Sequence, residues 1–238
     1  MLDRKELKSV AKEQIQGNIG ILFICKLIVF FIVVVASSLP TITPFLSVSP
    51  VLAGLIGFVG SFATIILVPP FMLSFAMIYL KLREGQSPVV GHIFNGYSIM
   101  GKSIWLYILM QIFIFLWSLL LLIPGLIKAY AYMLSFYILA ENPGMTAREA
   151  LRESKRITKG YKWSLFVLGL SFLLWALLGI ITFGIALIYV IPYYEATFAN
   201  AYKKIQAEQA ENPEQPFEET TVGTDETPQA IEASDTAE

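Results

Sequence analysis

Three ionisable side chains lie inside long apolar runs of this chain, Lys26, Lys128 and Glu195. A charge in hydrocarbon is costly enough that each is a functional candidate by default. Lys26 stands six residues into the run 20–39, and Glu195 seven residues before the end of the run 185–202. On a helical rise these are depths of about 9 and 10 Å from the same side. One arrangement is a Lys26–Glu195 ion pair joining the first and last spans. The other has Lys26 reaching alone to the inner headgroups with its stem along apolar surface. Lys128, just past Pro124-Gly125, is placed to snorkel outward.

The remaining chemistry is thin. His92 is the one histidine and Cys25 the one cysteine, whereas a zinc site needs about three or four ligands. Cys25 has no partner for a disulfide within the chain and reads as a small buried hydrophobe. Gly169-Leu170-Ser171 begins the nucleophile elbow G-x-S-x-G, but Leu173 occupies its last position. No phosphate loop of the G-x-x-x-x-G-K type occurs. The expectation is a chain with no catalytic residues, no metal and no cofactor.

These residues must be positioned by a membrane architecture. Hydrophobic residues fill 56% of the 238 positions and charged ones only 15%, where a soluble domain carries about a quarter. A soluble monomer is excluded. The net charge of −1 conceals a split: residues 211–238 hold nine of the 18 acidic residues and no basic one. Residues 1–210 therefore set 17 basic against nine acidic side chains, a net of +8. The acidic tail 211–238 lacks the apolar content to offset ordering and is expected to be disordered.

Six apolar runs are read as spans, at 20–39, 51–80, 103–123, 126–140, 163–181 and 185–202, one crossing needing about 20 residues. The second run is long and contains Pro69-Pro70, where it is expected to kink or break. The fourth, at 15 residues, is short. Segments 1–19, 81–102, 141–162 and 203–210 carry 4, 3, 6 and 2 Lys and Arg, 15 of the 17, and the alternate connections carry none. That asymmetry places both termini in the cytoplasm. Pro124-Gly125 and Thr182-Phe183-Gly184 read as tight outer turns. The 19-residue polar leader, with Asp3, Glu6 and Glu13, reads as an amphipathic cytoplasmic segment and not as a signal peptide.

An internal repeat organises these runs. Trp105 and Trp117 are 12 apart, as are Trp163 and Trp175, and Leu116-Trp117-Ser118-Leu119-Leu120 corresponds to Leu174-Trp175-Ala176-Leu177-Leu178 at an offset of 58. Each unit is a cytoplasmic amphipathic segment, a Gly-centred corner and a membrane hairpin, three in the same orientation. In the third unit Thr146 and Glu149 have capping-box spacing, and the helix they start is expected to end at Gly160. Ala147, Ala150, Leu151, Ser154 and Ile157 share one face, with Arg148, Arg152, Lys155, Arg156 and Lys159 on the others. Such a helix is expected at headgroup level, its basic side chains contacting anionic lipid or merely fixing topology. Leu7, Val10, Ala11 and Ile15 form the matching face in the leader. Gly54, Gly57 and Gly60 would let a second helix approach closely.

The string Leu116 to Leu120, then Ile123-Pro124-Gly125-Leu126-Ile127-Lys128-Ala129-Tyr130, Asn142-Pro143, Ala150, Ser154, Gly160, Trp163, Phe172, Trp175 and Pro192-Tyr193 resembles the bacterial integral membrane family termed domain of unknown function 975. The likeness covers about residues 5–205. More distantly the chain resembles the membrane domain of some glycerophosphodiester phosphodiesterases, whose catalytic domain has no counterpart here. It departs from the family at Ile19, where Trp is usual, and at Glu141, where Asp is commoner. The resemblance implies fold and a bacterial cell-membrane location, and no functional residues.

The fold expected is all-α, a polytopic protein of six transmembrane helices in three parallel repeats. Its function is expected to be that of an accessory or scaffold protein binding membrane lipids or other membrane proteins, with no nucleic acid partner. The alternative is a small transporter or permease. A reporter fused after Gln209, or within 141–162, is expected to read cytoplasm, and one in the 40–50 connection the outside. An external signal from the C-terminus would require an odd number of spans.

Overall fold

A computed structural model describes residues 2–42, 49–120 and 122–211, and every regular element among them is helical. In order these are α1 (Arg4–Ile15), α2 (Ile19–Ile42), α3 (Pro50–Arg83), a 3-10 helix (Val90–Ile99), α4 (Met100–Leu120), α5 (Leu122–Tyr132), α6 (Ser135–Glu141), α7 (Ala147–Ile157), α8 (Lys162–Leu170), α9 (Leu173–Ile181) and α10 (Leu187–Glu211). Four helical stretches among the described residues are long and apolar enough to cross a membrane: Ile19–Ser38, Pro50–Arg83, Val90–Leu119 and Lys162–Ile181. Most of the 40–50 connection and the tail beyond Glu211 lie outside the described residues.

Three of the expected spans take a different form. The run 126–140 divides at Met133-Leu134 into the C-terminal part of α5 and the seven-residue α6. The run 185–202 merges with the polar segment after it into one 25-residue helix, α10. The run 163–181 also divides, at Ser171-Phe172, between α8 and α9. A helix end leaves carbonyls without partners, and distant side chains supply them here. Ser154 Oγ and Thr158 Oγ1 of the α7 end donate to the Ala131 carbonyl at 2.9 and 3.3 Å. Lys8 Nζ of α1 donates to the Ser171 carbonyl at 3.3 Å.

The proline pairs also behave differently from expectation. Pro69 and Pro70 do not break α3, which is continuous over 34 residues. An interior proline removes a hydrogen bond and costs about 3 kcal/mol. At this point α3 passes from an exposed half into a buried one, Pro69, Pro70, Phe71, Leu73 and Ser74 all being covered. Part of the cover is the 3-10 helix, held by Ser74 Oγ, which donates to the Pro70 carbonyl at 2.9 Å and accepts from Gly96 N at 2.8 Å. Pro124 and Gly125 are likewise not the turn itself. They lie in the first turn of α5, where the missing proline N–H is one of the donors a helix start leaves free anyway. Gly125 lets α5 approach α4, since a Cβ there would sit 2.1 Å from Ser118 Oγ.

Local signals account for the amphipathic helices α1 and α7. Asp3 caps α1 by accepting from Lys5 N at 2.8 Å and Glu6 N at 3.3 Å. Thr146 and Glu149 form a reciprocal capping box at the start of α7. Gly17 and Gly160 end α1 and α7 with the same left-handed φ of +86°, whereas Gly101 continues in helix. Lys102 Nζ donates to the Pro143 and Gly144 carbonyls, closing the turn before α7. Ala147, Ala150, Leu151, Ser154 and Ile157 are buried, as are Leu7, Ala11 and Ile15, while Val10 is exposed. These faces pack on protein, α7 against α4 and α6 and α1 against α10, so they are not spent on headgroups. Of the three glycines in α3, Gly60 alone is buried and Gly54 meets nothing.

The core is assembled around α10, where every residue from 196 to 202 is buried. At its start, Phe183 (φ 50°) and Gly184 (φ +91°) make the tight turn from α9. Gly96→Ala is expected to destabilise the detergent-solubilised protein by about 1–3 kcal/mol or more, because the added Cβ would lie 2.1 Å from the Pro70 carbonyl oxygen. Gly91→Ala, in the same 3-10 helix with nothing within 4 Å, is the control and should leave the melting temperature nearly unchanged.

Candidate functional site

Four helices converge on one polar cluster. Lys26 of α2 donates from Nζ to Glu195 Oε1 of α10 at 2.5 Å, and each side chain keeps about a quarter of its surface exposed, 24% and 25%. The ammonium also sits over the Phe75 ring of α3, 3.5 Å from its centroid. Such a contact adds about 0.5–2 kcal/mol as the cation loses water. Tyr137 of α6 donates to the Glu195 carbonyl at 3.4 Å. Tyr79 of α3 faces the Glu195 carboxylate. Its hydroxyl interacts with that carboxylate, and neither it nor Glu195 Oε2, both buried, meets a further hydrogen-bond partner among the described residues. Cys25 is buried beside Lys26 in the surrounding apolar cluster with Leu22, Phe75 and Tyr79.

The cluster is a neutralised ion pair whose carboxylate also faces a phenol in an apolar surround. Removing one member leaves the other charge without compensation, which is the costly state for a buried pair.

The basic residues of α7 fall into two groups. Arg148, Arg152, Lys155 and Lys159 are exposed, and no ion pair closes on them among the described residues. Arg156 is held by Glu153 one turn earlier through two hydrogen bonds, Nε to Oε2 at 2.8 Å and Nη2 to Oε1 at 2.6 Å. Lys128 does not point away from this side. Its ammonium lies over the Trp117 ring at 4.4 Å and within electrostatic reach of Lys155 and Lys162. His92 serves locally, its Nδ1 accepting from Val89 N at 3.3 Å at the start of the 3-10 helix. Ser171, the centre of the partial elbow, donates to the Leu168 carbonyl at the α8–α9 break. Among the described residues no group of three or more His, Cys, Asp or Glu could hold a metal ion.

A second set of contacts, between residues distant in sequence, latches α10 to its neighbours. Glu141 accepts from Tyr202 Oη at 2.7 Å, from Gln206 Nε2 at 3.2 Å and from Lys203. Lys204 pairs with Glu6, and Asn200 Nδ2 donates to Gln14 Oε1 at 2.8 Å. Tyr161 donates to Glu208 at 2.6 Å, and that bond, ahead of burial, pushes the phenol up to about 12. Sequence reasoning missed these latches. The one available signal was charge within α10's polar half, which names a donor or acceptor but not its partner.

The Lys26–Glu195 contact is tested by a double-mutant cycle. Lys26→Met and Glu195→Gln should each destabilise the solubilised protein, and the double variant should lose less than the sum by about 0.5–3 kcal/mol. Additive losses would mean that the two side chains contribute independently.

No curated protein and no solved structure matches the chain. The family described as "Protein of unknown function (DUF975)" matches residues 1–131 and again residues 118–209. Together the two matches run through all ten α-helices but for the last two residues of α10, and the chain belongs to that family.

Proposed function

We propose that this chain is a non-catalytic, six-span protein of the bacterial cell membrane with both termini in the cytoplasm. It acts as an accessory or scaffold protein, binding anionic lipids and partner membrane proteins through its basic inner face. In this reading the spans are the four long apolar stretches, the α5–α6 segment and the first half of α10. Three units of cytoplasmic helix plus hairpin follow one another in parallel, and the shared left-handed corners at Gly17 and Gly160 support that repeat for the first and third.

The observation that carries the reading is the use of α7. Its apolar face is consumed by packing on α4 and α6, yet Arg148, Arg152, Lys155 and Lys159 remain exposed, and no ion pair closes on them among the described residues. Three such charges on a helix fixed against the bundle, with Lys159 in the turn after it, form a cationic face. Near an anionic leaflet each contributes about 1 kcal/mol.

A second reading, a small transporter or permease for a lipid-like or small ionic substrate, is favoured by the Glu195 carboxylate and Tyr79 hydroxyl, which face each other in an apolar surround with no third partner among the described residues. Flux into proteoliposomes separates the two readings. For the first, replacing Arg148, Arg152, Lys155 and Lys159 together by Gln should lower retention of anionic lipid in native mass spectrometry. The difference should shrink as salt rises. Unchanged retention with altered membrane orientation would return these charges to a purely topological role.

A further inference from the structure

An apolar groove of about 420 Å³ runs along the break between α8 and α9, lined among others by Tyr130, Phe166, Gly169, Leu173, Leu187 and Tyr194. Its volume is in the range of small-molecule sites, about 300–1,000 Å³. Gly169 keeps the floor low, a Cβ there lying 3.0 Å from the Tyr130 hydroxyl. Tyr130 and Phe166 meet edge to face at 5.6 Å, and Phe166 stacks on the exposed Trp163 at 5.3 Å.

Beside it, α5, α7 and α8 carry a cluster of cations. Lys162 precedes Phe166 by one helical turn and so shares its face, and Lys128, over Trp117 on α5, lies within electrostatic reach of Lys162. Lys155 and Lys162 both lie close enough to Lys128 to repel its charge. Among the described residues no carboxylate pairs with any of the three. By contrast Lys26, Arg156, Lys203 and Lys204 are each matched with a glutamate. Like charges held together without a counter-ion, next to an apolar trough, lack an anion with a hydrocarbon body.

We propose that Lys128, Lys155 and Lys162 bind the phosphate of one anionic phospholipid whose acyl chain lies in the groove between α8, α9 and α10. This rests on the lipid-binding reading above and narrows it from a basic surface to one site of defined stoichiometry. Trp117, already under the Lys128 ammonium, and Trp163 flank the headgroup end, where indole rings suit the interface.

The test uses the full chain in detergent with phosphatidylglycerol or phosphatidylcholine added, and counts bound lipid by native mass spectrometry. The expected result is one tightly retained phosphatidylglycerol. Its affinity should fall roughly tenfold or more in Lys128→Gln/Lys162→Gln, about two headgroup charges, and be lost in Ala176→Trp, which fills the groove from its exposed wall. The lysine variant carries the test should Ala176→Trp not fold. Equal retention of phosphatidylcholine, or of phosphatidylglycerol by both variants, would overturn the site. The triple variant Arg148→Gln/Arg152→Gln/Lys159→Gln tests the broader reading separately, since none of its positions belongs to the lysine cluster. If that variant alone loses anionic lipid, the surface reading stands and the groove site falls.

Discussion

The arrangement depends on one helix being surrounded. From Ala196 to Tyr202 α10 is buried on every side, and a helix buried all round must be packed by neighbours rather than by one face. Its sequence suits that position. Ala196, Ala199 and Ala201 let helices approach, while Phe198 and Tyr202 fill the gaps, and Tyr137 of α6 stacks on Tyr202 at 5.8 Å. Polar residues then choose the neighbours: Glu195 takes Lys26 of α2, Asn200 takes Gln14 of α1, and Glu208 takes Tyr161 of the α7–α8 corner. Apolar packing would tolerate a slip of a turn. A chain of ion pairs and hydrogen bonds to four separate segments does not.

The level of Lys26, Phe75 and Glu195 divides the molecule. On one side α10 ends at Leu187, about 12 Å away, whereas α3 continues to Pro50, about 37 Å away if straight. Beyond the reach of α10, the α2–α3 hairpin has few partners, and Phe30, Phe31, Val51, Leu55, Phe58 and Val59 are exposed there. On the other side, α1, the 3-10 helix, α6 and α7 cover the bundle with buried apolar faces. Solvent preference explains the contrast. Apolar surface left bare over such a length suits a lipid solvent, while the capped amphipathic helices bury their apolar faces on the bundle and turn polar ones outward.

What was legible in the sequence is what local chemistry decides. The capping box at Thr146 and Glu149, the five-residue buried face of α7 and the turn at Thr182-Phe183-Gly184 all rest on residues close together in the chain. The breaks in α5–α6 and α8–α9 were not legible. Met133-Leu134 and Ser171-Phe172 contain neither glycine nor proline, and their free carbonyls are satisfied by Ser154, Thr158 and Lys8, 23 to 163 residues away. Pro69-Pro70 errs in the opposite sense. A strong local breaker is held in helix by tertiary packing that no periodicity records, namely Gly96 fitted against the Pro70 carbonyl. Lys128 is a similar case, since the reading of Pro124-Gly125 as an outer turn placed it on the side opposite to Lys155 and Lys162.

The basic side chains separate by whether a glutamate answers them. Lys26, Lys203 and Lys204 each tie α10 to another helix, and their charge is consumed in holding the bundle together. Lys128, Lys155 and Lys162, with Arg148, Arg152 and Lys159, tie nothing and repel one another where they are close. A fold gains nothing from that repulsion, and any residue of the same shape without charge would relieve it. The positive-inside rule accounts for basic residues in the connections, but Lys128 lies in α5, outside them. Its position over Trp117, facing two further lysines, is the one cation in the apolar runs that neither a glutamate nor topology explains. The lipid phosphate proposed above would supply that compensation.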